Sequence, residues 1–281
     1  MRVKNLSNIR VDHLFMTQRI VLGILIVSFV SSCFGQKSAK PNATPYYEFL
    51  RAQEPEDPRI VLINIEQLDR LGLADEINAI RALGPKVIAL DINFVDLKGE
   101  HDASVVSALR SCQTLVMPST VVENDDHPIR IDSKSHLIFS TPNVYTGFTD
   151  CVLEEDDLQT LKMVTLWEKI QETGEEEFHF SVQVALLFDS LKTMHFVNTH
   201  AKRIDVDYKR GLRKFKQFSA NEVLNGVGKR ADVEGKIVLL GFLGPGNEDK
   251  FFTPLNTRIE PYEPDMYGVE FLANIVAQIL E

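Results

Sequence analysis

Four stretches of this chain are apolar almost without interruption, and several segments between them repeat their apolar residues at helical spacing. Arg59–Glu66, Lys86–Asn93, Thr114–Met117 and Gly235–Gly241 are short runs bounded by Pro, Gly or charged residues. Such runs read as strands buried on both faces. Leu73, Ile77, Ile80 and Leu83 predict a helix over 71–83, stopped by Gly84-Pro85. The first two strands and this helix form a right-handed βαβ unit, expected to lay Ile60–Ile65 beside Val87–Ile92. Further helices are expected over Asp102–Arg110 and over Phe178–Leu191, the latter with Phe180, Val184, Leu187 and Leu191 inward. Ser219-Ala-Asn-Glu222 is a capping box opening a short helix. The closing helix has an apolar stripe of Val269, Leu272, Ala273, Val276, Ile279 and Leu280, with Glu270, Asn274 and Gln278 on the other side.

The remaining pattern is less regular. Val121–Lys134, acidic and interrupted by a proline, reads as an exposed loop. Residues 136–168 read as short strands around the acidic turn Glu154–Asp157, and Ile204–Tyr208 with Phe215–Phe218 as a hairpin. The fold class that follows is α/β, with a mostly parallel central sheet flanked by helices, in one domain over residues 59–281. Residues 36–58 read as a polar linker with a short helix at Tyr46–Ala52.

The first 35 residues read as a leader. Arg2, Lys4, Arg10 and Arg19 precede or flank an apolar core, Ile20–Val30, which has signal-peptide length and is too short to span a bilayer. Three fates stay open: cleavage between Gly35 and Gln36, acylation of Cys33 within a lipobox-like Val30-Ser-Ser-Cys33, or an uncleaved anchor. Each exports the rest of the chain to the periplasm, free or held at the membrane. In that oxidising compartment Cys112 and Cys151 are available to pair.

Composition narrows the functional classes. A net charge of −10 excludes nucleic acid as the expected partner. The basic residues Lys202, Arg203, Lys209, Arg210, Arg213, Lys214 and Lys216 read as a solvated edge or, alternatively, as an anionic-ligand or membrane-surface patch. No stretch after residue 59 is long and apolar enough to be a membrane helix.

The chemistry-bearing residues gather at expected strand ends. Gly241-Phe-Leu-Gly-Pro-Gly246 lacks the Lys-Ser/Thr of a phosphate-cradling loop. Histidines show no zinc spacing, no nucleophile elbow is present, and nothing points to an activated cysteine, so no enzymatic activity and no cofactor are expected. Glu66, Asp91 and Asp249 follow three strands, and parallel neighbours would bring them to one side, where α/β sheets bind ligands. With Asn93, Gly241 and Thr253 they form the expected ligand site. Three carboxylates also suit a hard divalent cation, which makes a metal-assisted hydrolase the alternative reading. Also open is a structural role, with Asp91 and Asp249 capping loops and Glu66 solvated.

Arg59–Glu66, Gly84–Asp91, Phe218–Leu224, Gly235–Gly241, Asp249-Lys-Phe-Phe-Thr-Pro254 and Gly268–Asn274, in this order, resemble the CHASE domain of the second type, a cyclase/histidine-kinase-associated sensory extracellular domain. The resemblance implies an extracytoplasmic sensor for an undefined small ligand or envelope protein, joined to a membrane-embedded signalling partner. It also implies that the last helix transmits the signal. The chain departs from the family in having Leu272 where histidine is frequent. It stops at Glu281, where relatives enter membrane helices, so a free-standing module or a truncated frame is expected. A structural envelope protein that binds through the last helix is the third reading.

Overall fold

Ile60–Ile63, Val87–Leu90 and Ile237–Leu240 are buried along their whole length, as strands covered on both faces must be. They are seen in a computed structural model that describes residues 55–281, except 125–126, 154–158, 209–213 and 257–262. The strands are β1 (Glu56–Asn64), β2 (Val87–Leu90), β3 (Leu115–Asn124), β4 (His127–Lys134), β5 (Val144–Phe148), β6 (Val152–Leu153) and β7 (Leu161–Thr165). They continue with β8 (Trp167–Lys169), β9 (Glu176–Phe178), β10 (Arg203–Asp205), β11 (Lys214–Ser219), β12 (Ile237–Gly241), β13 (Lys250–Phe251) and β14 (Met266–Tyr267). The helices are α1 (Arg70–Ala82), α2 (Asp102–Ser111), α3 (Phe180–Phe188), α4 (Ser190–Thr199), α5 (Ala220–Leu224), α6 (Arg230–Val233) and α7 (Gly268–Ile279).

The central sheet runs β11-β1-β12-β2-β3-β4, with β5 also paired to β3. All its pairings are parallel except β3–β4, so the expected α/β class with a mostly parallel sheet holds. The expected contact between Ile60–Ile65 and Val87–Ile92 does not. β12 lies between them, with Ile60 opposite Ile237 and Ile237 opposite Val87. Sequential strands are neighbours only about two-thirds of the time. Here the late, wholly apolar β12 takes the most protected place.

Side chains alternate across the sheet. Ile60, Leu62, Val87, Ala89, Ile237 and Leu239 face one layer, which contains α3 and α7. Val61, Ile63, Ile88, Leu90, Val238 and Leu240 face the other, which contains α1, α2 and α5.

Four local expectations need correction. Residues 121–134 are no loop: the ends of β3 and β4 pair antiparallel, Ser119 opposite Lys134. Ile204–Tyr208 and Phe215–Phe218 do not pair with each other. β10 joins β7 in a small antiparallel sheet, whereas β11 runs parallel to β1 at the edge of the main one. The helix over 178–191 breaks at Asp189, whose carboxylate accepts the Lys192 N–H (3.0 Å) and caps α4. Leu191 is consequently 86% exposed rather than inward. Finally, Glu270 and Asn274 are buried, not on a solvent face. β11 reaches over α7 to Glu270, which accepts from Gln217 (3.2 Å), and Asn274 donates to the Glu270 carbonyl (2.8 Å). The Ser219–Glu222 capping box forms as read.

Helix α7 runs from the ends of the parallel strands back to their beginnings. Its first residue donates to the Asp249 carbonyl (2.9 Å), in the loop beyond the end of β12. Its last turn lies beside the start of β1, where Arg59 donates to the carbonyls of Leu280 and Ala277. Lys192 also donates to the Leu280 carbonyl (2.8 Å). Among the described residues no helix is long and apolar enough to cross a membrane.

Candidate functional site

The ends of β1, β12 and β2 are tied by one side chain and two backbone bonds. Asn64 Oδ1 accepts the N–H groups of Glu66 (3.0 Å) and Leu243 (2.9 Å), so both outgoing loops turn on it. Ile65 donates to the Gly241 carbonyl (3.1 Å) and Asp91 to that of Leu240 (2.8 Å). These bonds fix where each chain leaves the sheet, and therefore where each acid points.

Asp91 continues the odd-numbered positions of β2 toward the layer of α3 and α7. There it lines a cavity of about 260 Å³ with Thr149, Cys151, Leu161, Asp249, Phe251, Gly268, Phe271 and Leu272. Asp249 is supplied by the β12–β13 loop. A Cβ on Gly268 would stand 3.2 Å from both of its carboxylate oxygens, so glycine at the start of α7 gives the acid its room there. Burial, then the charge of Asp249, pushes the Asp91 carboxyl up to about 7. Burial likewise pushes Asp249 up to about 6. The cavity thus holds two acids that each retain a proton more readily than a solvated carboxylate, against walls that are mostly apolar.

Glu66 does not join them, which overturns the three-carboxylate arrangement. The turn on Asn64 puts Glu66 in a left-handed conformation (φ 49°) and sends the chain toward the other layer. Glu66 and Asn93 line a separate cleft of about 250 Å³ with Arg70, Leu73 and Phe94. Among the described residues no group of three His, Cys, Asp or Glu side chains is arranged to hold a metal. The metal reading therefore loses its third ligand.

The other expected residues have structural partners. Gly241 gives α7 its close approach, because a Cβ there would lie 2.6 Å from Val269 Cβ. Thr253 is buried, and its N–H donates to Asp265 (2.9 Å), as does its hydroxyl. It pins the loop between β13 and β14 and does not line the cavity. Asn93 accepts from the Ser135 hydroxyl (3.1 Å). Cys112 and Cys151 are free thiols that pack on opposite faces of the sheet, so the structure does not pair them. Burial pushes the Cys151 thiol up to about 12, which leaves it un-ionised in the cavity wall. Cys33, Gly35, Gln36, the Tyr46–Ala52 helix, Lys209, Arg210, Arg213 and the acidic turn at 154–157 lie outside the described residues.

Thr149 and Leu161 had no functional signal in the sequence, whereas Phe251, Phe271 and Leu272 fall within the motifs that carry the family resemblance, Leu272 where histidine is frequent; only the fold brings these wall residues together. Gly268 was legible as part of a motif, but its reason, room for a carboxylate, was not.

The CHASE2 domain family model matches residues 39–281. The chain belongs to the CHASE2 family, a family of extracellular sensory domains rather than catalytic ones. Neither the curated proteins nor the solved structures gave a match.

Proposed function

We propose that this CHASE2 chain is an extracytoplasmic sensory module that receives a small ligand in the Asp91–Asp249 cavity. Occupancy would be passed through α7 to a membrane signalling partner, without turnover of the ligand. The observation that carries this reading is the position of α7. Its first turn forms part of the cavity wall, and its last turn lies at the opposite end of the strands beside the start of β1. At 1.5 Å per residue its 12 residues cover about 18 Å. A helix buried on all sides moves as a unit, so a ligand that binds two α7 positions unequally would shift their populations. On this reading residues 1–35 form the leader and 36–58 the linker, and the sensory body is exported.

The test compares amide hydrogen exchange at Ala277–Leu280 in the wild type and in Leu272→Trp, which fills the cavity, with the exposed Leu224→Trp as control. The expected result is a change in exchange confined to Leu272→Trp. Identical exchange in all three proteins would refute transmission along α7. Mass spectrometry of the mature N-terminus distinguishes Gln36 from acylated Cys33.

A further inference from the structure

The cavity has a one-sided chemistry. Its lining holds two carboxylates, one hydroxyl, one thiol, the backbone of Gly268 and four large apolar side chains: Leu161, Phe251, Phe271 and Leu272. Among the described residues its lining holds no lysine, arginine or histidine. The cation nearest in sequence, Lys250, lies instead over the Tyr267 ring, 4.7 Å from its centroid. Asp249 is held at the first turn of α7, and the Asp91 carboxylate has no hydrogen-bond partner among the described residues. We propose that this cavity takes a small organic ammonium ion with an apolar body, a ligand class that deepens and rests on the reading of the cavity as the sensory site.

Elimination supports the class. An anion would meet two carboxylates and no cationic donor. A neutral apolar molecule would fill the volume yet leave both acids desolvated and unpaired, which costs several kcal/mol on general grounds. A calcium-like ion needs six to eight oxygens, and the lining offers two carboxylates and one hydroxyl among hydrocarbon walls. An ammonium group meets both demands. Its N–H donors pair with Asp91 and Asp249 in charge-assisted hydrogen bonds. The Phe251 and Phe271 rings accommodate the adjoining methylenes or ring and favour a nearby cation. Binding also releases the protons that burial keeps on the two acids, so affinity rises as the pH is raised through about 6 and 7.

The test is calorimetric titration of the full chain at pH 8 with benzylamine, benzyl alcohol and benzoate, three probes of similar shape and different charge. The expected result is saturable binding of benzylamine alone. That binding should weaken at least tenfold in Asp91→Asn and in Asp249→Asn, disappear in Leu272→Trp, and weaken in the wild type from pH 8 to pH 5. Binding of benzyl alcohol or benzoate as tight as that of benzylamine, and lost in Leu272→Trp, would overturn the cation class and leave the cavity as the ligand site. Benzylamine binding unchanged by all three substitutions, or no binding by any probe, would overturn both.

Discussion

Glu76 offers the sharpest physical test of how this fold tolerates its acids. It lies on α1 with no solvent exposure, and neither carboxylate oxygen has a hydrogen-bond partner among the described residues. Burial, then the charge of Glu66, pushes its carboxyl from 4.5 up to about 8. Below pH 4.5 the folded and unfolded chains both carry this proton, and the side chain adds no pH dependence. Between 4.5 and about 8 the unfolded chain has released it while the folded chain still holds it. Unfolding then liberates a proton, so stability falls as the pH rises. Above about 8 the deficit is complete, and at 1.36 kcal/mol per pH unit it reaches about 5 kcal/mol. Any entry of water to the carboxylate in the folded chain would reduce the visible part to about 2–5 kcal/mol. Glu76→Gln keeps the shape and removes the ionisation. Urea unfolding at pH 5, 7 and 9 should therefore find the variant close to wild type at pH 5 and increasingly more stable toward pH 9. Asp91 acts with the same sign between 3.8 and about 7, but it is present in both proteins and cancels from the difference. A stability difference that is the same at pH 5 and pH 9 would refute a buried, protonated Glu76.

Two further outcomes test the packing of α7. Gly241→Ala should destabilise by about 1–3 kcal/mol, since the new methyl collides with Val269. Adding Val269→Ala should recover part of that loss in thermal unfolding, and strictly additive losses would count against the close approach. Arg59→Ala should speed amide exchange in the last turn of α7, because the Leu280 and Ala277 carbonyls lose a donor. Unchanged protection at Ala277–Leu280 would show that Lys192 and the core suffice to hold that end.

The layers of this fold were legible because they follow from local hydrophobic pattern. β1, β2, β12, the start of β3, the capping box and the closing helix could be read from runs and spacings a few residues long. What escaped was long-range. Nothing in Ile237–Gly241 says that it inserts between β1 and β2, because strand adjacency is decided by the competition of all apolar strands for the centre. The pairing of β11 with β1 and of β10 with β7 escaped for the same reason: two short neighbouring strands look like a hairpin until distant partners are known. At the site, strand-end acids were a sound lead for Asp91 and Asp249. The lead failed for Glu66, because one turn held by Asn64 directs it to the opposite face. Thr253 and Gly241 stood out in sequence for their motifs, and the structure accounts for both by packing and pinning.

The two ends of the parallel strands treat buried acids differently, and that contrast bears on the proposed function. At the end where β1 begins, Asp57 is 7% exposed and is matched by Arg59 at 2.6 Å, which in turn donates to the end of α7. This buried carboxylate is given its cation within the fold, whereas Glu76 on α1 is kept uncharged by burial. At the end where the strands finish, Asp91 and Asp249 are brought together without a cation among the described residues, and each retains its proton toward neutral pH. Their mutual repulsion disfavours the empty state as the pH rises, and neither side chain serves a cap or an ion pair that would offset it. Such an arrangement is unfavourable for folding alone and favourable for any partner that brings the missing positive charge. On the proposed reading, since α7 begins at that pair and ends at the Asp57–Arg59 pair, relief of the first would be carried to the second.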